Sequence, residues 1–249
     1  MNLAVRSAIY GDRSLEETAR AIAEAGYEAV QLDLDLNRLG AAEGGLTAAV
    51  AGRMAEAMER EKLTVAAVRV EVDLVGGGVA AVSRVVELLQ RADDFGTDLL
   101  ITTSGPGSDW TEAIGGLEEV VAVAAEHDIG LAVELAPGMA IADLDDAELL
   151  LETIEQDNLG LAMDLLAEAE RQHLSPADLL ERVGDALLAA TLTDASTNGD
   201  RVAPSPRSAT DFGELVDLLN QYSPDVLIVA GGVQFADAAA TRHFLARFL

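Results

Sequence analysis

Three observations predict one α/β domain, a single (β/α)8 barrel, over residues 1–249. Short apolar runs and helix-period segments alternate eight times along the chain. The apolar runs are near-continuous, as in a parallel sheet covered on both faces. Half of the 249 residues are apolar, enough for one large core of this kind. An open doubly wound sheet is the competing arrangement, and it needs a glycine-rich phosphate turn after the first strand. Tyr10-Gly11-Asp12-Arg13 does not supply one.

Each element has its own signal. Strand one is Leu3 to Ile9. Ser14 then reads as a helix N-cap, with Glu17 completing a capping box, and Gly26 stops helix one. Strand two is Ala29 to Leu34, and helix two, Ala48 to Glu61, carries Ala49, Met54, Ala57 and Met58 among its apolar positions. Strand three is Thr64 to Val72. Gly76-Gly77-Gly78 lacks the Lys and Ser/Thr of a phosphate loop and reads as a flexible entry to helix three, Val79 to Phe95. Strand four, Asp98 to Thr103, leads into Gly105-Pro106-Gly107 and then helix four, Glu112 to His127. Strand five is Gly130 to Leu135, helix five Asp145 to Gln156 and strand six Leu159 to Met163. Helix six starts at Ser175 with Pro176 in its first position, where proline is favoured. Strand seven is Ala186 to Leu192, and the longest irregular stretch follows, Ala195 to Thr210. Helix seven is Phe212 to Tyr222, strand eight Val226 to Ala230, closed by Gly231 and Gly232, and helix eight Phe235 to Phe248. No Pro- or Ser-rich linker divides the chain.

Composition narrows the function classes. There are no cysteines, so disulfides and thiolate metal sites are excluded. No charge-free stretch reaches the length of a membrane span. Met1 to Tyr10 has no signal-peptide pattern, so a cytoplasmic protein is expected. The net charge is −28, with acids spread over the whole chain and Lys62 as the one lysine. No basic patch exists to neutralise phosphates, so nucleic-acid binding is disfavoured. The acid load has two readings: a solvated surface in an organism that prefers Arg to Lys, or halophilic adaptation, in which salt screens carboxylate repulsion. Leu149-Leu150-Leu151 and Phe244-Leu245 leave room for a homodimer contact.

In a barrel of this kind, chemistry collects at the C-terminal ends of the strands. The polar residues there are Gln31, Asp33 and Asp35, then Glu71 and Asp73, then Thr102, Thr103 and Ser104. Glu134 ends strand five, Asp164 strand six, and Thr191, Thr193 and Asp194 follow strand seven, with Gln234 after strand eight. Arg6 and Arg69 lie within strands one and three. A charged side chain is almost never buried unpaired. If either points inward it needs an acid, and Glu71, Glu134 and Asp164 are available. Such a guanidinium would stabilise carboxylates that otherwise repel. It could instead bind a substrate carboxylate or phosphate, or both arginines could face outward. Trp110 could wall a sugar ring or pack on helix four. Of the three histidines, His127 and His243 fall in predicted helices, and only His173 lies in a loop on the functional side.

Several segments in order resemble the xylose-isomerase-like TIM-barrel family of sugar isomerases, ketose 3-epimerases and AP endonucleases of family 2. Ser14 to Gly26 followed by Tyr27-Glu28-Ala29-Val30-Gln31-Leu32 resembles its first helix and second strand, with Gln31 where Glu is usual. Leu131-Ala132-Val133-Glu134 resembles its strand five, and Asn158 to Asp164 its strand six, each ending in a metal-binding carboxylate. Ser175-Pro176 follows as its Asp-Pro does. Ala190-Thr191-Leu192-Thr193-Asp194 sits on its His-x-His-Leu-Lys-Asp motif, and Val226 to Ala230 on its last strand.

The resemblance implies a carbohydrate-metabolism protein that moves a proton between adjacent carbons of a metal-chelated sugar. Glu134 and Asp164 would be its metal ligands and acid/base residues. Arg6, Arg69, Glu71, Thr191, Trp110 and His173 are substrate-binding candidates. Three positions depart: Thr191 stands for the metal His, Ala230 for the last Glu, and Ala167 for a His after Asp164. Half a cage implies no cofactor, unless Glu71, Glu134, Asp164 and Asp194 form a rearranged Mg²⁺ or Mn²⁺ site. Two readings stay open: an isomerase or epimerase with a degenerate site, or a non-catalytic barrel that binds a polyol or acid, or partners an active paralogue.

The halophilic reading carries its own test. Raising KCl from about 0.1 M to about 2 M is expected to raise the thermal midpoint, because the carboxylates are then screened. A flat or falling midpoint removes that reading.

Overall fold

Eight strands, each buried along most of its length, pair in parallel and close on one another. The computed structural model describes residues 3–11, 13–34, 47–196 and 198–249, so Asp12 and Asp35 lie outside the described residues. The strands are β1 Leu3–Arg6, β2 Ala29–Leu34, β3 Thr64–Val70, β4 Leu99–Thr102, β5 Gly130–Glu134, β6 Leu159–Asp164, β7 Leu187–Leu192 and β8 Leu227–Ala230. Around the closed barrel they run β1-β8-β7-β6-β5-β4-β3-β2. Each strand thus neighbours its sequence neighbour, the (β/α)8 arrangement the sequence predicts. The chain clusters into two compact units.

The first unit comprises residues 1–31, 57–66 and 163–249. In it β1 pairs with β8 in the register Leu3↔Ile228 to Val5↔Ala230, and β8 with β7 from Leu227↔Ala189 to Ala230↔Leu192. Its helices are α1 Leu15–Glu24, α6 Leu165–Gln172, α7 Pro176–Val183, α8 Phe212–Tyr222 and α9 Ala238–Leu245. The capping box expected from sequence, Ser14 with Glu17, is present. The helix expected to start at Ser175 does so with Pro176 in its first turn, and a second capping box, Ser175 with Asp178, closes it. Phe212, Phe244 and Phe248 meet edge to face, with centroids 5.8 and 5.3 Å apart.

Four features of this unit differ from the sequence expectation. Strand one, expected to reach Ile9, ends at Arg6 and gives way to a 3-10 turn, Ser7–Tyr10. A helix, α6, begins at Leu165, before the one expected at Ser175. The stretch after β7 holds a small antiparallel hairpin, Asp194–Ala195 with Arg201–Val202. A 3-10 turn, Phe235–Asp237, precedes a shorter last helix, α9.

The second unit comprises residues 32–56 and 67–162. Here β3, β4, β5 and β6 pair in sequence, with Arg69 opposite Ile101 and Glu134 opposite Ala162. Its helices include α3 Gly78–Leu89, α4 Trp110–Glu126 and α5 Leu144–Thr153. Helix three was expected to run to Phe95, but the chain leaves α3 at Gln90 and resumes as one helical turn, Ala92–Phe95. Gly116 lets α3 and α4 approach: a Cβ there would sit 3.3 Å from Val82 and 3.4 Å from Leu74. Asp109 and Asp143 cap α4 and α5.

The apolar side chains expected to leave room for a subunit contact are mostly spent on the core. Leu150, Phe244 and Leu245 are buried, and Leu149 is exposed. Among the described residues no helix is long and apolar enough to cross a membrane.

Two phenols in the first unit are costly to ionise. Tyr10 and Tyr27 are buried, and neither hydroxyl has a hydrogen-bond partner among the described residues. Burial pushes Tyr10 up to about 12, with Arg13 pulling the other way. Burial pushes Tyr27 up further, with Tyr10 adding to the rise and Arg242 opposing it. The folded state therefore holds these protons where the unfolded chain, with phenols near ~10, has released them. Their contribution to stability is intact below ~pH 10 and is lost as pH rises above it. At about pH 11, native protein should show roughly two fewer phenolates by absorbance than the chain unfolded in guanidinium. Equal phenolate content in the two states would overturn this.

Candidate functional site

In the second unit, strand alternation places Arg69 one residue before the end of β3, and β5 delivers Glu134 at its last position. The Arg69 Nε donates to Glu134 Oε2 at 2.8 Å, and its Nη2 donates to the same oxygen. Nη2 also donates to Glu71 Oε1 at 3.0 Å. Nη1 lies 3.8 Å from Asp33 Oδ1, near the end of β2. The Arg69 side chain is 11% exposed and Glu134 23%, whereas Glu71 is 70% exposed. Burial opposes the guanidinium's charge, but the charge and hydrogen bond of Glu134, then Glu71 and Asp33, outweigh it. The net effect raises the Arg69 pKa above its ordinary value. Of the three acids that the sequence makes available to a buried strand arginine, Glu71, Glu134 and Asp164, Arg69 engages Glu71 and Glu134, and Asp33 joins them.

The loops beside this cluster are tied to one another. The Thr103 hydroxyl donates to the Val72 carbonyl at 2.8 Å and accepts from the Val72 N–H at 3.2 Å. Ser104 Oγ accepts from the Ile141 N–H at 2.9 Å. The Gly105 carbonyl accepts from the Ala140 N–H at 2.9 Å, and the Gly107 N–H donates to the Gly138 carbonyl at 3.1 Å. Gly105 has φ +92°, and a Cβ there would press on the Asp73 side chain and the Leu74 backbone. The Gly-Pro-Gly segment therefore joins the loops after β3, β4 and β5. Trp110, half-buried, opens α4 behind its Asp109 cap.

In the first unit Asp164 has two structural partners. It ends β6 and is the N-cap of α6, where its Oδ1 accepts from the Ala167 N–H at 3.1 Å. Its Oδ2 accepts from the Thr193 hydroxyl at 2.7 Å. Asp194 is buried and accepts from the Thr210 hydroxyl at 2.9 Å. Thr191 is half-buried, and its methyl lies with that of Thr193 where a Cβ on Gly231 would fall. Gly232, at φ +63°, admits the Val202 backbone, so the hairpin after β7 packs on the end of β8. Ala230 is 1% exposed.

Arg6 closes β1, half-buried. His173 is exposed and adopts a left-handed φ of 57° as the C-cap of α6. Sequence reasoning missed Thr193 as the partner of Asp164. It also missed Glu168, which is buried and bonded by Arg171 and Gln172. Spacings of three and four from Glu168 were the available signal.

These donor sets do not suit a divalent ion. Glu134 and Glu71 already accept from a guanidinium, and Asp164 and Asp194 from hydroxyls. Thr191 and Ala230 supply no imidazole or carboxylate. Among the described residues no group of three or more His, Asp or Glu is placed to hold a metal ion.

Eight parallel strands closed into a barrel, each followed by helical chain, define a (β/α)8 TIM barrel. The profile of the xylose isomerase-like TIM barrel family matches residues 19–233, and the chain belongs to that family. The chain is similar in structure to an AP endonuclease, family 2, from Brucella melitensis (TM-score 0.78, 18% identity, 100% of this chain and 99% of that one). It is similar to the 3-keto-D-glucoside 4-epimerase YcjR from E. coli (TM-score 0.77, 15% identity, 100% and 98%). A third similar structure is a xylose isomerase-like TIM barrel protein from Mycobacterium smegmatis in complex with magnesium (TM-score 0.73, 15% identity, 99% and 96%). At these identities the likeness shows the fold. No curated protein matches the chain.

The cap role of Asp164 is measurable. Asp164→Ala should cost about 1–2 kcal/mol in urea unfolding, as loss of an N-cap does, whereas Asp164→Asn should keep most of the stability. Equal losses in the two variants would show that the cap is not what Asp164 supplies.

Proposed function

We propose that this protein is a carbohydrate-binding barrel of the isomerase and epimerase lineage that holds a neutral, sugar-like polyol without performing a metal-assisted proton shift. One observation carries the reading: Arg69 donates twice to Glu134 Oε2. A general base must be free to take a proton from its substrate. Here Glu134 Oε2 already accepts from two N–H groups of a guanidinium. The enediolate of an isomerase also needs an electrophile opposite the base, and the donor sets described above do not build one around an ion.

The same contacts select the ligand. Arg69 directs its N–H groups at Glu134 and Glu71, with Asp33 close by. A phosphate or carboxylate approaching this cluster meets acids already paired to the Arg69 guanidinium, so repulsion disfavours it. A hydroxyl-rich neutral ligand can donate to the same carboxylates. A 3-keto-D-glucoside 4-epimerase among the similar structures supports a sugar-like ligand.

The test has two parts. A panel of ketoses and alditols, with matched sugar phosphates, is screened for thermal stabilisation. The same sugars are then incubated in D₂O with the protein and Mn²⁺ while NMR follows C–H exchange. Neutral polyols should stabilise, sugar phosphates should not, and no deuterium should enter. Metal-dependent incorporation of deuterium at a carbon next to the carbonyl would overturn the proposal.

A further inference from the structure

We infer that the Arg69 guanidinium is the resident cation of this barrel: it occupies the charge role that a divalent ion takes where carboxylates gather at strand ends. The inference does not depend on which ligand is bound or whether it turns over. It rests on the arrangement around one side chain. Asp33, Glu71 and Glu134 come from β2, from the residue after β3, and from β5, and all three approach Arg69. Three carboxylates thus share this guanidinium. Without the guanidinium, carboxylates gathered around one point would repel one another.

The arrangement resembles coordination in one respect and differs in two. Each terminal or bridging nitrogen of the guanidinium faces a carboxylate: Nε and Nη2 face Glu134, Nη2 also Glu71, and Nη1 Asp33. A metal ion likewise gathers oxygens from several strands. A guanidinium, however, is tethered to the backbone, so no chelator removes it. It also acts through directional N–H bonds, not as a Lewis acid. The cluster should therefore be indifferent to metal supply, and it should become a divalent-cation site only when the tethered charge is taken away.

The experiment compares wild type, Arg69→Met, Arg69→Lys and the double variant Arg69→Met/Glu134→Gln. Thermal midpoints are measured with EDTA, with Mn²⁺, and with NaCl at matched ionic strength, and Mn²⁺ binding is followed by its EPR signal. Wild type should respond alike to all three solutions and bind no Mn²⁺ stoichiometrically. Arg69→Met should lose roughly 5–10 °C, and Mn²⁺ should restore most of that loss where NaCl does not, with one ion bound. Arg69→Lys keeps the charge and should fold without needing Mn²⁺, which covers the case in which Arg69→Met is too unstable to study. The double variant should lose the Mn²⁺ rescue. The inference is overturned if Mn²⁺ rescues Arg69→Met no better than NaCl, if Arg69→Lys gains Mn²⁺ binding as Arg69→Met does, or if wild type binds Mn²⁺ stoichiometrically. A protein that exchanges substrate protons without metal would refute the binding-only function yet leave this inference standing.

Discussion

A guanidinium set among three carboxylates governs the electrostatics at the ends of β2, β3 and β5. Taking Arg69 from water is expensive, and so is taking Glu134, but each charge removes most of the other's penalty. The geometry is strong for a side-chain pair. Two N–H groups converge on one oxygen of Glu134, and the remaining edges face Glu71 and Asp33. Exposure grades the contributions. Glu134, at 23% exposed, feels little screening, whereas Glu71, at 70%, lies largely in water and adds less. Arg69 and Glu134 therefore form the anchoring pair.

The acid load that dominates the composition has a second, quieter use. Asp109, Asp143, Asp164 and Asp211 each cap a helix through side-chain acceptance of first-turn N–H groups. Glu17 and Asp178 close capping boxes. Backbone hydrogen bonding from Ser14, and then its side chain, holds Glu17 below its usual range. Such positions favour negative charge because the helix dipole is positive there. A strongly acidic chain can thus place part of its charge where the backbone stabilises it, and only the remainder has to be carried as mutual repulsion on the surface.

Much of this was legible in the residues because it depends on local chemistry. The starts of strands one to three, the Ser14 cap and the Pro176 helix entry are short-range signals and stand where they were read, whereas strand one ends three residues before the expected Ile9. The pairing of Arg69 with acids was legible for a different reason: a strand interior offers a cation almost no stable alternative. What could not be read depended on contacts far apart in sequence. Thr193 bonds Asp164 across 29 positions, and Thr210 reaches Asp194 across 16. The hairpin after β7 needs the space above Gly232, which only the folded backbone of β8 defines. Helix α6 was missed because Asp164, read as the end of a strand, also serves as the cap of the next helix.

The two acids the family resemblance singled out have been given different partners, and this bears on how a site without an ion is kept folded. Asp164 is stabilised by neutral donors, a hydroxyl and a backbone N–H, so its charge is balanced locally by dipoles. Glu134 faces a full positive charge. The space near Ala230 has been treated in a third way: methyl groups of Thr191 and Thr193 approach Gly231, and the Val202 backbone approaches Gly232. A carboxylate introduced at Ala230 would enter a site that is 1% exposed. Within its own unit each position is satisfied: Glu134 and Asp164 each have donors, and the space beside Ala230 is filled. In the first unit alone, a ligand set at these positions would require undoing both a helix cap and a packed strand end, and no single substitution reaches both.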